Sequence, residues 1–255
     1  MRKPIIAGNW KMFKTAAETR TFVKAFRPQV DSLKDREAVV CAPFTALWAL
    51  ADELKGSSIG VGAQNAHWEE KGAFTGEIAV GMLKEIGARF AIAGHSERRQ
   101  YFGETDATVN KRTLAILAGG LTPITCIGET LLERESNQTF KVLERQVRES
   151  LKGLPSPALV VIAYEPVWAI GTGKTATPAQ AQEAHAFIRK EFAKLYGEAA
   201  AQAVRVLYGG SVKPDNMATL MREAAIDGGL VGGASLDADS FAQIVRYDPG
   251  PTASK

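Results

Sequence analysis

The sequence contains few cysteines and no strong excess of charge, and both features narrow the class of protein. Its two cysteines, Cys41 and Cys126, lie far apart at no metal-ligand spacing, and a chain of 255 residues can build a full core without disulfides. We therefore expect a reducing, cytoplasmic location. The net charge is only +3, and Arg98 and Arg99 are not extended into a basic stripe, so we expect no nucleic-acid partner.

Long apolar runs are also missing, which argues against a membrane protein. The run behind Arg2 and Lys3 ends at Gly8, too early for a signal peptide. Other runs, such as residues 158–164, are far shorter than the ~18 residues that a membrane span requires. Hydrophobic residues make up 45% of the chain, which is typical of soluble globular proteins with a sizeable core.

Eight short apolar runs predict a sheet of buried parallel strands. The runs are continuous and do not alternate with polar residues, as expected for strands that are covered on both faces. They lie at residues 4–7, 38–42, 59–63, 90–93, 122–127, 159–164, 204–208 and 230–231. The last is the weakest strand prediction, because residues 227–233 contain four glycines and also fit a loop.

The segments between the runs have the spacing of amphipathic helices, for example Phe22, Phe26 and Val30. Pro178 and Pro214 stand where two of these helices would begin. Eight strand–helix units in 255 residues favour an α/β fold of the single-domain (β/α)8 or TIM-barrel type over a doubly wound sheet. We expect residues 1–255 to form one domain, with residues 248–255 as a frayed tail.

Polar residues directly beyond the apolar runs are the candidate functional groups, because barrel enzymes build their sites on the loops that follow the strands. These residues are Asn9 and Lys11 after the first run, His95, Ser96 and Glu97 after the fourth, Glu165 after the sixth, Ser211 after the seventh, and Gly232 and Gly233 after the eighth. We expect all of them to face one mouth of the barrel.

Three of these side chains have the chemistry of an acid–base site. Glu165 ends an apolar run, where burial is expected to raise its pKa and make it a general base; the alternative is a buried glutamate paired with an arginine. Lys11 would attract an anion at a barrel mouth, although a solvated lysine is the common case. His95 considered alone could equally be structural.

Two glycine turns are candidates for phosphate binding. The turns at residues 209–211 and 232–233 can expose backbone N–H groups, and together they match the phosphate site usual after the last two strands of this barrel. Either pair alone could serve only a tight turn. Residues 171–175 fit a Walker A loop poorly, since its first glycine would fall at Trp168. The three histidines have no metal-ligand spacing, so no metal is expected.

Five segments resemble the signature segments of the triosephosphate isomerase family. They are AGNWKM at residues 7–12, AGHSERR at 93–99, AYEPVWAIGTGK at 163–174, YGGSV at 208–212 and VGGASL at 231–236, in the family's order. The resemblance implies a cofactor-free aldose–ketose isomerase of glycolysis and gluconeogenesis. It would interconvert dihydroxyacetone phosphate and D-glyceraldehyde 3-phosphate through an enediolate.

The resemblance also implies a role for particular residues. Asn9, Lys11, His95 and Glu165 would be catalytic, with Glu97 as the ion partner that orients Lys11. The phosphate would be bound by Gly171, Ser211, Gly232 and Gly233, beneath a lid loop that includes Pro166, Val167, Trp168, Thr172 and Lys174.

A long connection after the third run predicts a homodimer. Residues 64–75 exceed the two to six residues that usually join a strand to a helix, and they carry Trp68 and Phe74. Exposed aromatic side chains on a loop favour an interaction surface over a self-packed omega loop. The family resemblance implies that this arm enters a two-fold partner, with Thr75 approaching the neighbour's Asn9 and Lys11.

Two other functions remain compatible with the same residues. One is an aldolase that forms a Schiff base through a lysine, and the other is a non-catalytic sugar-phosphate binding protein on this scaffold. Borohydride trapping would identify the first. An assay for glyceraldehyde 3-phosphate formation would exclude the second, because a binding protein forms no product.

Overall fold

Eight parallel strands close into a barrel in the computed structural model, which describes residues 2–170, 174–248 and 250. Each strand pairs with the next along the chain, and the eighth pairs with the first. The strands are β1 (Ile5–Asn9), β2 (Glu37–Ala42), β3 (Gly60–Ala63), β4 (Phe90–Ala93), β5 (Thr122–Ile127), β6 (Val161–Tyr164), β7 (Arg205–Tyr208) and β8 (Gly228–Val231). The predicted (β/α)8 TIM barrel is confirmed.

Helices follow the strands, and several begin at the residues that the sequence indicated. Across the described residues they are α1 (Ala16–Val30), α2 (Phe44–Glu53), α3 (Val80–Glu85), α4 (Ser96–Tyr101), α5 (Asp106–Ala118), α6 (Leu131–Glu135), α7 (Thr139–Ser150), α8 (Pro178–Ala203), α9 (Pro214–Arg222) and α10 (Ala238–Val245). Pro178 and Pro214 are the first residues of α8 and α9, because proline has no N–H to lose there. No helix in this part of the chain is long and apolar enough to cross a membrane.

The core has two layers, which explains the continuous apolar runs. Successive side chains of a strand point to opposite faces, so Ile5 and Ala7 fill the barrel interior while Ile6 packs towards the helices. Cys41 and Cys126 both belong to the interior layer as free thiols. Both faces of each strand are therefore apolar.

Most strands begin or end one or two residues away from the predicted runs, and the differences at β6 and β8 have clear physical causes. Leu159 belongs to a short 3-10 turn, Pro157–Leu159, and is exposed, so β6 starts later than residue 159. In contrast, β8 begins two residues before the predicted run. Gly228 has φ +142°, and a Cβ atom there would lie 1.8 Å from the carbonyl oxygen of Ile5. Glycine is required because β8 approaches β1 this closely, although glycine in a sequence usually indicates a loop.

Candidate active site

One cavity at the carboxyl ends of the strands collects most of the predicted site residues. It has a volume of about 280 Å³. Its lining includes Asn9, Lys11, His95, Glu165, Ser211, Gly232 and Gly233, together with the apolar side chains of Ile170, Val212 and Leu230. Polar groups from five different strand ends therefore face one small space, as expected for an active site of this fold.

Lys11 is held at both its backbone and its ammonium. Its φ of +54° is unusual for a residue other than glycine. The Lys11 N–H donates to Asn9 Oδ1 at 3.0 Å, and Gln64 Nε2 donates to the Lys11 carbonyl at 2.8 Å. Nζ forms an ion pair with Glu97. Gln64 was not singled out as a site residue from the sequence, although it directly follows β3.

His95 is buried between β4 and the first turn of α4. Its Nδ1 accepts the N–H of Glu97 at 3.2 Å, and its Nε2 lies 2.9 Å from Glu165 Oε1. Because Nδ1 must supply a lone pair to Glu97, a neutral ring carries its proton on Nε2. Burial lowers the pKa of His95, but the neighbouring Glu165 carboxylate raises it, so that the net pKa is above the ordinary value.

Glu165 follows β6 and is almost completely buried, with 2% of its surface exposed. Its Oε2 accepts the N–H of Ser96 at 2.8 Å, while Oε1 faces His95. The sequence predicted a pKa raised by burial. Burial does act in that direction, but His95 and the Ser96 N–H stabilise the carboxylate and lower the pKa of Glu165 below its ordinary value. Within the described residues, the ionisable side chain that pairs with it is a histidine and not an arginine.

Glycines allow the close packing around Glu165. A Cβ atom on Gly128 would lie 1.7 Å from the carbonyl oxygen of Glu165, and one on Gly209 would lie 2.8 Å from its Cγ. Both positions therefore exclude any side chain. Gly209 belongs to a turn that the sequence indicated for phosphate binding, whereas Gly128 was not identified.

The predicted phosphate-binding residues Ser211, Gly232 and Gly233 line the same cavity. Ser211 precedes α9, and Gly233 begins a short 3-10 turn, Gly233–Ser235. A Cβ atom on Gly233 would meet no atom within 4 Å, and one on Gly232 would lie 3.6 Å from Cε of Lys11. The backbone here is accessible to an anion close to the ammonium of Lys11. Gly171 lies outside the described residues.

The first residues of the predicted lid are anchored to a buried carboxylate. Pro166 precedes a 3-10 turn, Val167–Ala169, and Trp168 Nε1 donates to Glu129 Oε1 at 2.9 Å. Tyr164 Oη donates to the same oxygen at 3.1 Å, and Val167 N–H donates to the Glu129 carbonyl at 3.0 Å. Lys174 lines a second cavity of about 890 Å³, and Thr172 lies outside the described residues.

The arm at residues 64–75 is only partly exposed. Phe74 is 43% exposed and Thr75 is at the surface. Trp68 is half-buried, because it stacks on His67 at 4.2 Å and lies under the guanidinium of Arg112 at 5.0 Å. The expectation of two exposed aromatic rings was therefore wrong for Trp68.

The remaining histidine is away from this chemistry. His185 is buried, and burial lowers its pKa to about 3. In the part of the chain that the structure describes, no three His, Cys, Asp or Glu side chains cluster as they would around a metal ion.

Comparison with known proteins gives consistent matches over almost the whole chain. A family model described as "Triosephosphate isomerase" matches residues 4–248. A triosephosphate isomerase from Endomicrobium trichonymphae is 59% identical over 97% of this chain and 99% of that protein. One from Moorella thermoacetica is 60% identical over 97% of this chain and 100% of that protein. The crystal structure of the Bartonella henselae enzyme, described by the same name, is 42% identical with a TM-score of 0.87, and the match covers 95% of this chain and 97% of that one.

Proposed function

Since this chain belongs to the triosephosphate isomerase family, which interconverts dihydroxyacetone phosphate and D-glyceraldehyde 3-phosphate, we propose that Glu165 is the base of that isomerisation and His95 its electrophile. The observation that carries the proposal is the shared cavity, in which a buried carboxylate and a buried imidazole lie 2.9 Å apart beside an ammonium group. Such a set can move a proton between adjacent carbons and stabilise the charge that results.

The proton transfer begins at Glu165. Its carboxylate removes a proton from the carbon that bears the hydroxyl group, the electron pair moves towards the carbonyl, and an enediolate forms. The same carboxyl group then returns the proton to the neighbouring carbon, while His95 Nε2 gives a proton to the former carbonyl oxygen and takes one from the hydroxyl group, which becomes the new carbonyl. To reach a substrate carbon, Glu165 has to leave the Ser96 N–H and His95 Nε2. Because these two contacts lower its pKa, their loss raises its pKa and makes it a stronger base.

His95 and Lys11 stabilise the charge on the enediolate oxygens. The Glu97 N–H occupies Nδ1 of His95, which leaves Nε2–H free to donate to a substrate oxygen once Glu165 has turned away. Lys11 adds a positive charge, with Asn9 holding its backbone and Glu97 its ammonium. Donors that are already aimed at the site of charge need no rearrangement during the reaction.

The phosphate end supplies binding energy that is remote from the reacting carbons. The N–H groups near Ser211, Gly232 and Gly233 would hold the phosphate, joined by Gly171 from the lid. That binding energy can drive closure of the lid, whose first residues are Pro166 to Trp168. Closure excludes water from the enediolate. Thr172 and Lys174 belong to the same proposed lid.

A homodimer is the second part of the proposal. Thr75 lies on the surface arm, and large apolar side chains are exposed on the loop after β1 and on the chain around α4: Met12, Phe13, Tyr101 and Phe102. Met12 is 92% exposed, which is unfavourable for a large apolar side chain unless a partner covers it. We place Thr75 of one subunit against Asn9 and Lys11 of the other.

The remaining parts of the proposal concern the whole chain. Residues 1–255 form one domain, which the pairing of β8 with β1 supports. The location is the cytoplasm, supported by two buried cysteines that form no disulfide. The small net charge supports the absence of a nucleic-acid partner.

The first experiment is a coupled assay for glyceraldehyde 3-phosphate formed from dihydroxyacetone phosphate. The parent should turn over, and Glu165→Gln, which keeps the shape of the side chain but removes its basicity, should be nearly inactive. Borohydride added with substrate should leave no covalent adduct. A stable adduct would favour the aldolase, and binding without turnover would favour a sugar-phosphate binding protein.

A further inference from the structure

The side chain of Arg99 folds back from α4 beneath the loop that carries His95. Its Nε donates to the Gly94 carbonyl at 2.9 Å, and Nη2 donates to the Cys126 carbonyl at 3.1 Å. Nη1 donates to Asp106 Oδ1 at 2.6 Å, and Nη2 also contacts Ser150 Oγ at 3.3 Å. One guanidinium thus connects the ends of β4 and β5 with α5 and α7.

The Gly94 carbonyl belongs to the peptide group that enters His95. Gly94 has φ +71°, a left-handed conformation that turns the chain from β4 into α4. A Cβ atom at this position would lie 2.6 Å from Val109, so the turn has little room to shift. A hydrogen bond to this carbonyl fixes the plane of the Gly94–His95 peptide, and hence the direction in which the imidazole leaves the backbone.

The second carbonyl relates His95 to the position of the base. Cys126 lies on β5, which pairs with β4 on one side and with β6 on the other. Glu165 directly follows β6, and its N–H donates to the Ile127 carbonyl at 2.7 Å. Arg99 therefore holds the end of β4 against the strand that positions Glu165.

We propose that Arg99 is a positioning residue, which holds the Gly94–His95 peptide so that His95 Nε2 points into the catalytic cavity. This inference rests on the proposed role of His95. Arginine suits the task because its planar group offers several donors in a fixed arrangement, whereas lysine offers one compact charge. Its side chain is only 17% exposed, so water replaces these hydrogen bonds poorly.

The test compares Arg99→Ala and Arg99→Lys with Arg145→Ala. Arg145 is a matched control because its Nε also donates to Asp106, at 3.0 Å, while within the described residues it makes no hydrogen bond to the Gly94 or Cys126 carbonyl. Both Arg99 variants should lose on the order of 10²-fold in kcat, as a misplaced catalytic group does, with a much smaller change in KM. Arg145→Ala should keep the parental kcat. Added guanidinium ion should restore part of the activity of Arg99→Ala, and urea at the same concentration should not.

A double-mutant cycle with His95→Gln separates positioning from general damage to the fold. If Arg99 acts through His95, then Arg99→Ala should cost little further activity in the His95→Gln background. An undiminished loss in that background would overturn the inference, as would a parental kcat in Arg99→Lys. Should Arg99→Ala not fold, Arg99→Lys carries the same cycle. An inactive parent, or a His95→Gln variant with full activity, would instead overturn the proposed function.

Discussion

Shortening Glu165 to aspartate is the most direct test of the base. The change removes one methylene group and withdraws the carboxylate by about 1 Å, a displacement that can cost ~10²-fold in rate. Glu165 Oε2 now accepts the Ser96 N–H at 2.8 Å, and Oε1 lies 2.9 Å from His95 Nε2. In the proposed mechanism Glu165 leaves both contacts to reach a substrate carbon, and the shorter side chain would end about 1 Å short of that carbon. Its carboxylate would still be ionised, so the loss would measure position and not basicity.

The assay should separate binding from chemistry. We expect Glu165→Asp to keep a KM near that of the parent, because the substitution leaves the proposed phosphate-binding residues unchanged. Its kcat should fall by on the order of 10²-fold, and Glu165→Gln should lose more, since an amide cannot accept the proton. Circular dichroism of both variants controls for folding. A parental kcat in Glu165→Asp would refute the assignment of the base, whatever the behaviour of Glu165→Gln.

The pH dependence of protein stability provides a second test of Glu165. The pKa of Glu165 is lowered from its ordinary value of 4.5, mainly by His95 and the Ser96 N–H against the opposing effect of burial. A lowered pKa in the folded state contributes stability above the unfolded pKa, and that contribution is lost as the pH falls through the folded value. The stability lost in Glu165→Gln should therefore diminish on acidification, as followed by thermal unfolding. A difference that grows towards low pH would contradict the direction of the shift.

Three further predictions follow from single contacts. Glu165→Gln should lower the pKa of His95, because the carboxylate raises it, and nitrogen NMR should show that the neutral ring carries its proton on Nε2. Gly128→Ala should destabilise the fold and reduce kcat, since its Cβ would overlap the Glu165 carbonyl at 1.7 Å, and a thermal melt with kinetics would detect both. Thr75→Arg should make activity sensitive to dilution by placing an unpaired charge in the proposed contact, and sedimentation of a fully active monomeric parent would count against the dimer.

The fold could be predicted because burial on both faces leaves a continuous apolar run for every strand. The exceptions have local physical causes. Leu159 looks like part of β6, but it lies on an exposed 3-10 turn. Gly228 looks like part of a loop, but it lies in β8 because no side chain fits against β1. Hydrophobicity thus locates each strand, whereas its ends depend on contacts with neighbouring backbone.

The candidate site could be predicted in part, because catalytic groups follow strand ends. The same rule applied to β5 would have indicated Glu129, a carboxylate two residues beyond that strand, which anchors Trp168. The rule would also have indicated Gln64, which directly follows β3. Arg99 differs, because it acts on backbone carbonyl oxygens and every residue offers that acceptor. No side-chain pattern marks such contacts before the fold brings the segments together.

The pKa of Glu165 shifts in the direction opposite to the one predicted from the sequence. A carboxylate at the end of an apolar strand indicates burial, and burial alone raises its pKa. The sequence does not show that α4 begins beside it, with the Ser96 N–H directed at Oε2 and His95 at Oε1. In the proposed mechanism these partners keep Glu165 a weak base until it turns towards the substrate. The basicity of Glu165 therefore depends on which contacts it makes. A variant that removes the backbone N–H of residue 96 should raise the pKa of Glu165 without changing Glu165 or His95 themselves.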